Sequence, residues 1–143
     1  MPRLLGRVFT LFSLLAALLL LAGCSSGESL KAAEAGVAHF RALTAAKQFD
    51  AIYAEASDEF KQATTAADLG KLLTMFDQKL GPLKSTEPNG WRVNHTPTTT
   101  TVYYGLKSQF ERGAGTETFV FFIRDGKAVL GGYNIQSNAL LMN

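Results

Sequence analysis

The sequence predicts an α+β domain in which three N-terminal helices pack on a curved, antiparallel sheet of four strands. Three observations support this prediction. Apolar residues recur with a period close to 3.6 from Leu30 to Leu80. Beyond Pro82 the period becomes 2, and the residue types change to Thr, Val, Tyr, Phe and Trp, as in strands. Asp125-Gly126, between two apolar segments, is a strong signal for a two-residue hairpin turn.

The helical half divides into three amphipathic segments. They are Glu28 to Ala46, Phe49 to Phe60, and a third segment that ends at Leu80. Ser25 or Ser29 is the candidate N-cap of the first helix. Thr65 and Asp68 have the spacing of a capping box and open the third helix. Gly81-Pro82 then supplies the stop signal expected just past a helix C-terminus.

The second half contains four predicted strands. They are Trp91 to Thr96, Thr100 to Arg112, Thr116 to Arg124, and Lys127 to Ser137. A turn at Gly113-Ala114-Gly115 would pair Arg112 with Glu117, which brings opposite charges together across the two strands. This pairing predicts one face that lies under the helices, made of Val102, Tyr104, Leu106, Phe110, Phe119, Phe121 and Ile123.

The phase of the last strand depends on Gly131-Gly132. A regular strand would place Tyr133 and Ile135 on the outer face of the sheet, beside Val120 and Phe122. A bulge at the two glycines would return both side chains to the core, because one extra residue moves every later side chain to the opposite face. The bulge is the favoured interpretation, since adjacent glycines in a strand have few other uses.

The N-terminus has the layout of an export signal. Two basic residues, Arg3 and Arg7, precede an apolar run from Val8 to Ala22, which is shorter than the roughly 20 residues of a membrane span. The run ends at Leu21-Ala22-Gly23-Cys24 and resembles a bacterial lipoprotein signal. The alternative is an uncleaved anchor helix followed by an ordinary thiol.

This resemblance divides the chain into three parts. Residues 1–23 form a signal peptide that is removed, residues 24–29 form the lipidated Cys24 with a short tether, and residues 30–143 form a single domain. Cys24 is the only cysteine, so its lipidation leaves no thiol for disulfide or redox chemistry. Ser25 after the lipidated cysteine resembles proteins that are sent to the outer membrane. The expected location is the periplasmic face of that membrane, with acylated Cys24 in the bilayer.

The charge balance argues against nucleic acid as a partner. The chain has 14 Lys and Arg residues and 12 Asp and Glu residues, and the excess is Arg3 and Arg7 of the signal. The domain itself is therefore neutral, with its charges interspersed. Such a domain has no basic patch for a phosphate backbone or for anionic lipid.

Three short motifs resemble an uncharacterised group of small bacterial lipoproteins and exported proteins. They are Glu117-Thr118-Phe119, Asp125-Gly126-Lys127 and Gly132-Tyr133-Asn134-Ile135. The resemblance covers roughly Ala32 to Ser137 and implies a cystatin-like, or nuclear-transport-factor-like, α+β roll. Ala128 and Val129 depart from the group, which often has Trp after the hairpin. The resemblance implies no activity, because its motifs are structural.

The sequence contains no set of residues that indicates catalysis. His39 and His95 are the only imidazoles, and neither has a metal-ligating neighbour at the usual spacing, so we expect no metal site and no cofactor. No serine lies in a Gly-x-Ser-x-Gly motif. Proton transfer by His95 with Asp125 or Glu117 stays open, because folding could bring them together. The sequence favours a protein that is not an enzyme.

Two regions are candidates for binding. The first is the outer face of the sheet, and its residues are Tyr103, Lys107, Glu111, Val120, Phe122 and Val129. An apolar strip of this kind indicates a protein or peptide partner, such as an exported toxin or hydrolase that the lipoprotein would inhibit. The alternative is a strip covered by a loop at Lys84 to Asn89. The second is a cavity for a small molecule or lipid, lined by Phe40, Phe60, Phe76, Trp91 and Tyr104.

Overall fold

Helices occupy the first half of the chain and strands the second. The computed structural model describes residues 25–142, and the predicted signal segment and Cys24 lie outside these residues. The helices are α1 (25–45), α2 (Phe49–Glu55), α3 (Asp58–Ala63) and α4 (Ala66–Leu80). The strands are β1 (Leu83–His95), β2 (Thr100–Phe110), β3 (Gly113–Arg124) and β4 (Lys127–Gln136), followed by a 3-10 turn at Asn138–Leu140.

The described residues contain four helices, so the prediction of three is wrong. The predicted second helix is interrupted at Ala56-Ser57, where both residues have extended backbone. The Ser57 amide donates to the carbonyl of Leu130 in β4 at 2.9 Å. The Ser57 hydroxyl accepts from the Phe60 amide at 3.2 Å and so caps α3. A backbone bond to the sheet therefore ends one helix, and the serine starts the next.

The predicted ends of the helices agree with the structure in two places out of three. Thr65 caps α4, since its hydroxyl oxygen accepts from the Asp68 amide at 3.1 Å. Gly81 ends α4 with a φ of 71°. Ser29 is not a cap, because it lies inside α1 and its hydroxyl donates to the Ser25 carbonyl at 2.8 Å. Helix α1 therefore includes residues 25–29, which the sequence assigned to a tether.

The four strands form an antiparallel meander in the order β1-β2-β3-β4, as predicted. The pairing of β2 with β3 differs from the prediction. Phe110 lies opposite Gly113 across a two-residue turn, so the predicted three-residue turn that starts at Gly113 and the pair of Arg112 with Glu117 are wrong. The Arg112 guanidinium instead donates to the carbonyls of Asp77, Gln78 and Lys79 at the end of α4. The unpaired carbonyls and the negative end of the helix dipole at a helix C-terminus favour a cation at this place.

The first strand is longer than predicted. It begins at Leu83, whereas the sequence indicated a strand from Trp91 and a loop from Lys84 to Asn89. Most of those loop residues pair with β2, with register shifts on either side of the segment. The predicted loop therefore belongs to the sheet and is not free to cover the strip on the outer face.

The bulge in β4 is confirmed. Val120 lies opposite Gly132 and Phe121 lies opposite Leu130, so Gly131 is the extra residue. A Cβ atom at Gly131 would lie 2.5 Å from Cε2 of Phe122, which explains why a side chain is absent there. The hairpin at Asp125-Gly126 is also confirmed, because both residues have positive φ, 51° and 73°.

The core lies between the helices and one face of the sheet. Its buried apolar residues are Ala33, Phe40, Ile52, Ala56, Phe60, Leu69, Leu73, Val102, Tyr104, Leu106, Phe119, Phe121 and Leu130. Helix α1 lies close to the sheet at Gly36. A Cβ atom there would lie 2.9 Å from both Ala128 Cβ and Phe121 Cε1. The absent side chain at Gly36 sets the spacing of the two layers.

Gly36 and Gly70 form a matched pair for testing this spacing. Both lie inside helices, but a Cβ at Gly70 meets nothing within 4 Å. We expect Gly70→Ala to raise the free energy of unfolding by about 0.5–1 kcal/mol through helix propensity. We expect Gly36→Ala to lower it by about 1–2 kcal/mol, because overpacking outweighs propensity. Chemical denaturation measures both, and a stabilising Gly36→Ala would show that the layers can separate freely.

Candidate functional site

A buried ionic cluster joins α1 to the sheet. The Glu117 side chain is fully buried on the helix-facing side of β3 and accepts from four donors. Arg41 donates twice, with Nη1 at 3.0 Å from Oε1 and Nη2 bonded to Oε2. The Ser108 hydroxyl bonds to Oε2, and the Tyr133 hydroxyl lies 2.5 Å from Oε1. We call these four residues the Glu117 cluster.

The chain places each member by simple rules. Glu117 shares the face of Phe119 because side chains two residues apart in a strand point the same way. Ser108 is on the buried face of β2, and Tyr133 reaches the cluster because of the bulge at Gly131. Arg41 follows the buried Phe40 on α1. The alternation of inward and outward side chains along β3 indicated that Glu117 is buried. The predicted pair of Arg112 with Glu117 hid this indication, because it gave Glu117 a partner at the end of the strand.

The chemistry of the Glu117 cluster is that of a fixed ion pair. A carboxylate offers about four lone-pair sites, and four donor atoms occupy them. No acceptor site is left to take a proton from a substrate. Burial, and then the charge of Glu117, raise the pKa of Tyr133 far above its usual range, so the phenol stays a neutral donor. The cluster therefore fixes α1 on the sheet.

Two cavities lie between the helices and the sheet, on either side of Phe40. One, of about 280 Å³, is lined by Phe40, Arg41, Phe76 and Tyr133 among others. The other, of about 250 Å³, includes Gly36 and Phe121 in its lining. Both volumes are near the lower limit for small-molecule sites.

The predicted cavity residues do not form one pocket. Phe40 and Phe76 line the larger cavity. Phe60 and Tyr104 are buried in the core but line neither cavity. Trp91 is 54 % exposed on β1 and lies apart from both, so its assignment to the cavity is wrong. Trp91 lies opposite Tyr104 on the helix-facing side, but on an edge strand, where its side chain stays exposed.

The two histidines have different neighbours from those considered in the sequence. His39 Nε2 lies 2.5 Å from Glu55 Oε2, and both side chains are more than half exposed. This pair joins α1 to α2 at the rim of the smaller cavity, and no sequence spacing indicated it. His95 contacts the hydroxyl oxygens of Thr100, at 3.0 Å, and of Ser26. The structure does not bring His95 to Glu117, whose partners are in the Glu117 cluster.

The outer face of the sheet carries a contiguous apolar strip. Tyr103 lies opposite Val120, and Phe122 lies opposite Val129. All four side chains are half-buried, and we call them the outer strip. Arginines lie over both rings, with Arg92 Cζ 4.5 Å from the Tyr103 centroid and Arg124 Cζ 5.6 Å from the Phe122 centroid.

The other two predicted surface residues lie away from the outer strip. Lys107 is exposed on the same face, where it borders a broad cleft of about 930 Å³ with Gln109 and Thr116. Glu111 is in the turn between β2 and β3 and pairs with Lys84 and Arg112, both at 3.7 Å. The placement of Glu111 on the outer face is therefore wrong, since β2 ends at Phe110.

Residues 25–142 show neither a metal site nor a membrane-spanning helix. No group of three or more His, Cys, Asp or Glu side chains among these residues is arranged to hold a metal ion. Within the same range, no helix has both the length and the apolar character that crossing a membrane requires. No protein family model, curated protein or solved structure matches the chain.

Proposed function

We propose that this chain is a lipid-anchored module of the bacterial cell envelope that binds a protein or peptide partner and is not an enzyme. The observation that carries the proposal is the outer strip, an aromatic and aliphatic row on the face opposite the helices. The arginines at its border, Arg92 and Arg124, add a cation above each aromatic ring. Aromatic residues and arginine contribute most of the binding energy in protein interfaces.

The charges around the outer strip indicate the chemistry of the partner. Arg124 is paired with Glu59 at 3.2 Å, whereas Arg92 has no ion-pair partner among the described residues. A partner with an apolar side chain for Phe122 and a carboxylate for Arg92 would satisfy both features. An exported toxin or hydrolase that the module inhibits is a partner of this kind.

The geometry of the carboxylates supports a role without catalysis. Glu117 has four donors and therefore no free acceptor site. Glu55 is bonded to His39 in an exposed position, where water competes for the same groups. A general base needs an acceptor held next to bound substrate, and neither carboxylate supplies one.

The finer fold and the location belong to the same proposal. Helices that precede a four-stranded meander and cover one of its faces fit a cystatin-like roll. Acylated Cys24 would hold the domain at the membrane, with the periplasmic face of the outer membrane as its location. Because residue 25 is already helical, α1 would begin immediately at the anchor.

A second candidate function is the binding of a small apolar molecule. The observation in its favour is the larger cavity, where Phe40, Phe76 and Tyr133 surround a space of about 280 Å³. Arg41 lines this cavity, and its Nε atom is buried without a hydrogen-bond partner among the described residues. A ligand with an apolar body and one acceptor would suit such a lining.

Phe122→Asp tests the proposed partner surface. The change places a charge in the centre of the outer strip, and we expect affinity for the partner to fall at least about 30-fold, which corresponds to a hot-spot loss of about 2 kcal/mol. The full chain is affinity-tagged in its own host and cross-linked in cells before purification. Partner recovery is then compared with that of the unchanged chain.

Thr116→Asp is the matched control, because Thr116 is exposed on the same face of the same strand, about 20 Å from Phe122. It should leave partner recovery unchanged. Circular dichroism melting shows whether each variant is folded. Undiminished recovery by a folded Phe122→Asp variant would contradict the proposal. Co-purification of a compound of a few hundred daltons, seen by native mass spectrometry, would support the cavity instead.

A further inference from the structure

Strand β1 is an open edge of the sheet. In the part of the chain that the structure describes, β2 is its one neighbouring strand, and all of the residues of β1 are exposed except Val93, which is half-buried. It carries Trp91, the only tryptophan in the chain, with 54 % of its surface exposed. An edge with unpaired backbone groups and an exposed aromatic side chain can accept another strand.

Two regular segments of β1 flank an irregularity at its centre. Residues 85–88 and residues 91–95 pair regularly with β2, and a register shift separates them at Asn89-Gly90. Glu87 lies opposite Lys107 and Arg92 opposite Tyr103, which places both charges on the outer face. Pro88 and Trp91, the neighbours of these charges in the chain, are on the face that the helices cover.

These positions are self-complementary. We propose that a second copy of this chain pairs with β1 in antiparallel orientation, with the two-fold axis between Asn89 and Gly90. In this register Glu87 of each copy lies opposite Arg92 of the other, and Trp91 lies opposite Pro88. This surface is the edge of the sheet and not its outer face, but the two share Arg92, which borders the outer strip. In the dimer Arg92 pairs with Glu87 of the other copy, and a partner would contact the apolar residues of the outer strip. The dimer forms from this chain alone and so does not depend on the proposed partner.

The charged residues of β1 are the reason for proposing a second copy of this chain as the partner. Neither Glu87 nor Arg92 has an ion-pair partner among the described residues, and the Arg92 guanidinium lies over the ring of Tyr103. The two-fold axis converts these two unpaired charges of opposite sign into two cross-strand ion pairs. The remaining charged position, Lys84, faces His95 in this register and stays paired with Glu111, 3.7 Å away.

The apolar side of the same register pairs the Trp91 ring with the pyrrolidine ring of Pro88. Pro88 has no N–H group, so this position contributes one hydrogen bond fewer to the ladder between the copies. The stacked rings bury surface that is exposed in the single copy, which offsets the missing bond. The opposite view, that Pro88 and the bulge protect the edge from pairing, predicts a monomer.

The resulting dimer is compatible with attachment to one membrane. A two-fold axis perpendicular to the sheet keeps the helices of both copies on the same side. The start of α1, next to Cys24, is in that helix layer in each copy. If Cys24 is acylated, as the proposed function holds, this arrangement allows both copies to attach to one bilayer with their outer strips facing away from it.

Sedimentation equilibrium of the full chain in a density-matched detergent tests the proposal. The expected result is a reversible dimer, with twice the mass of the single chain. Because Trp91 is the only tryptophan, its emission should shift to shorter wavelength as the concentration rises. Arg92→Glu and Glu87→Arg should each weaken dimerisation at least about tenfold, since each places like charges opposite one another twice.

Exchanging the two charges tests whether Glu87 of one copy lies opposite Arg92 of the other. The double variant Glu87→Arg with Arg92→Glu restores both ion pairs and should recover dimerisation to within about threefold of the unchanged chain. Lys127→Glu, an exposed charge reversal at the far edge of the sheet, is the control and should have no effect. A monomer at all concentrations, a dimer that tolerates either single reversal, or a swap without rescue would each overturn the proposal.

Discussion

Replacing Arg41 with methionine is expected to lower the free energy of unfolding by about 3–5 kcal/mol. The Arg41 side chain is 19 % exposed and the Glu117 side chain is 0 % exposed, so the variant leaves a buried carboxylate without its cation. Ser108 and Tyr133 still donate to Glu117, but neutral hydroxyls do not replace the lost charge. Equilibrium denaturation of the two proteins gives the difference.

A double-mutant cycle shows whether the loss comes from this pair. Glu117→Gln removes the charge and keeps one oxygen, which can accept from either Ser108 or Tyr133, while the hydroxyl of the other can accept from the new amide NH2 group. We expect the double variant, Arg41→Met with Glu117→Gln, to be more stable than Arg41→Met alone, because no uncompensated charge is buried. Lys31→Met, at an exposed position on α1, the helix that carries Arg41, is the control and should change stability by less than about 0.5 kcal/mol. Strictly additive losses would mean that Arg41 acts only through its packing.

The alternation of side chains along the strands correctly predicted which residues face the helices. It did not correctly predict which residues of β2 and β3 lie opposite one another. The predicted pairing of β2 with β3 differs from the observed pairing by an even number of residues, so the assigned faces are preserved within the two strands, and the face assigned to Glu111 is lost because this residue lies in the turn. Phe110, for example, is buried as expected, although its partner is Gly113 and not Phe119. The three small residues Gly113-Ala114-Gly115 resemble a turn when only the neighbouring sequence is considered, although they belong to β3. The competing partner of Arg112, the end of α4, is distant in sequence and gave no local signal.

Long-range contacts also explain the other differences. The break between α2 and α3 depends on a bond from Ser57 to Leu130, which no helical periodicity could indicate. The start of β1 at Leu83 depends on pairing with β2, since Pro88 and Gly90 locally disfavour a strand. The bulge at Gly131 was predictable because the two glycines are themselves its cause. The outer strip could be predicted from the alternation of side chains along β3. The Glu117 cluster could not, because its arginine comes from α1, whose position on the sheet the sequence does not show.

Cys24→Ser is expected to move the protein from the membrane to the soluble fraction of its host. Each methylene of a buried acyl chain contributes about 0.8 kcal/mol to membrane binding, so two or more chains hold a protein stably and their loss releases it. Cell fractionation and gel mobility measure the change. Ser26→Ala, two residues further along, is the control and should stay in the membrane fraction.

This variant also separates the two interpretations of the N-terminus. If Val8 to Ala22 were an uncleaved anchor helix, Cys24→Ser would remain in the membrane with unchanged mobility. Release of the variant would instead fix the attachment point one residue before the described part of α1. Because α1 lies on the face of the sheet opposite the outer strip, an anchor at Cys24 holds the helix layer near the bilayer. The outer strip would then be directed away from the lipid, where a partner in the surrounding solution can reach it.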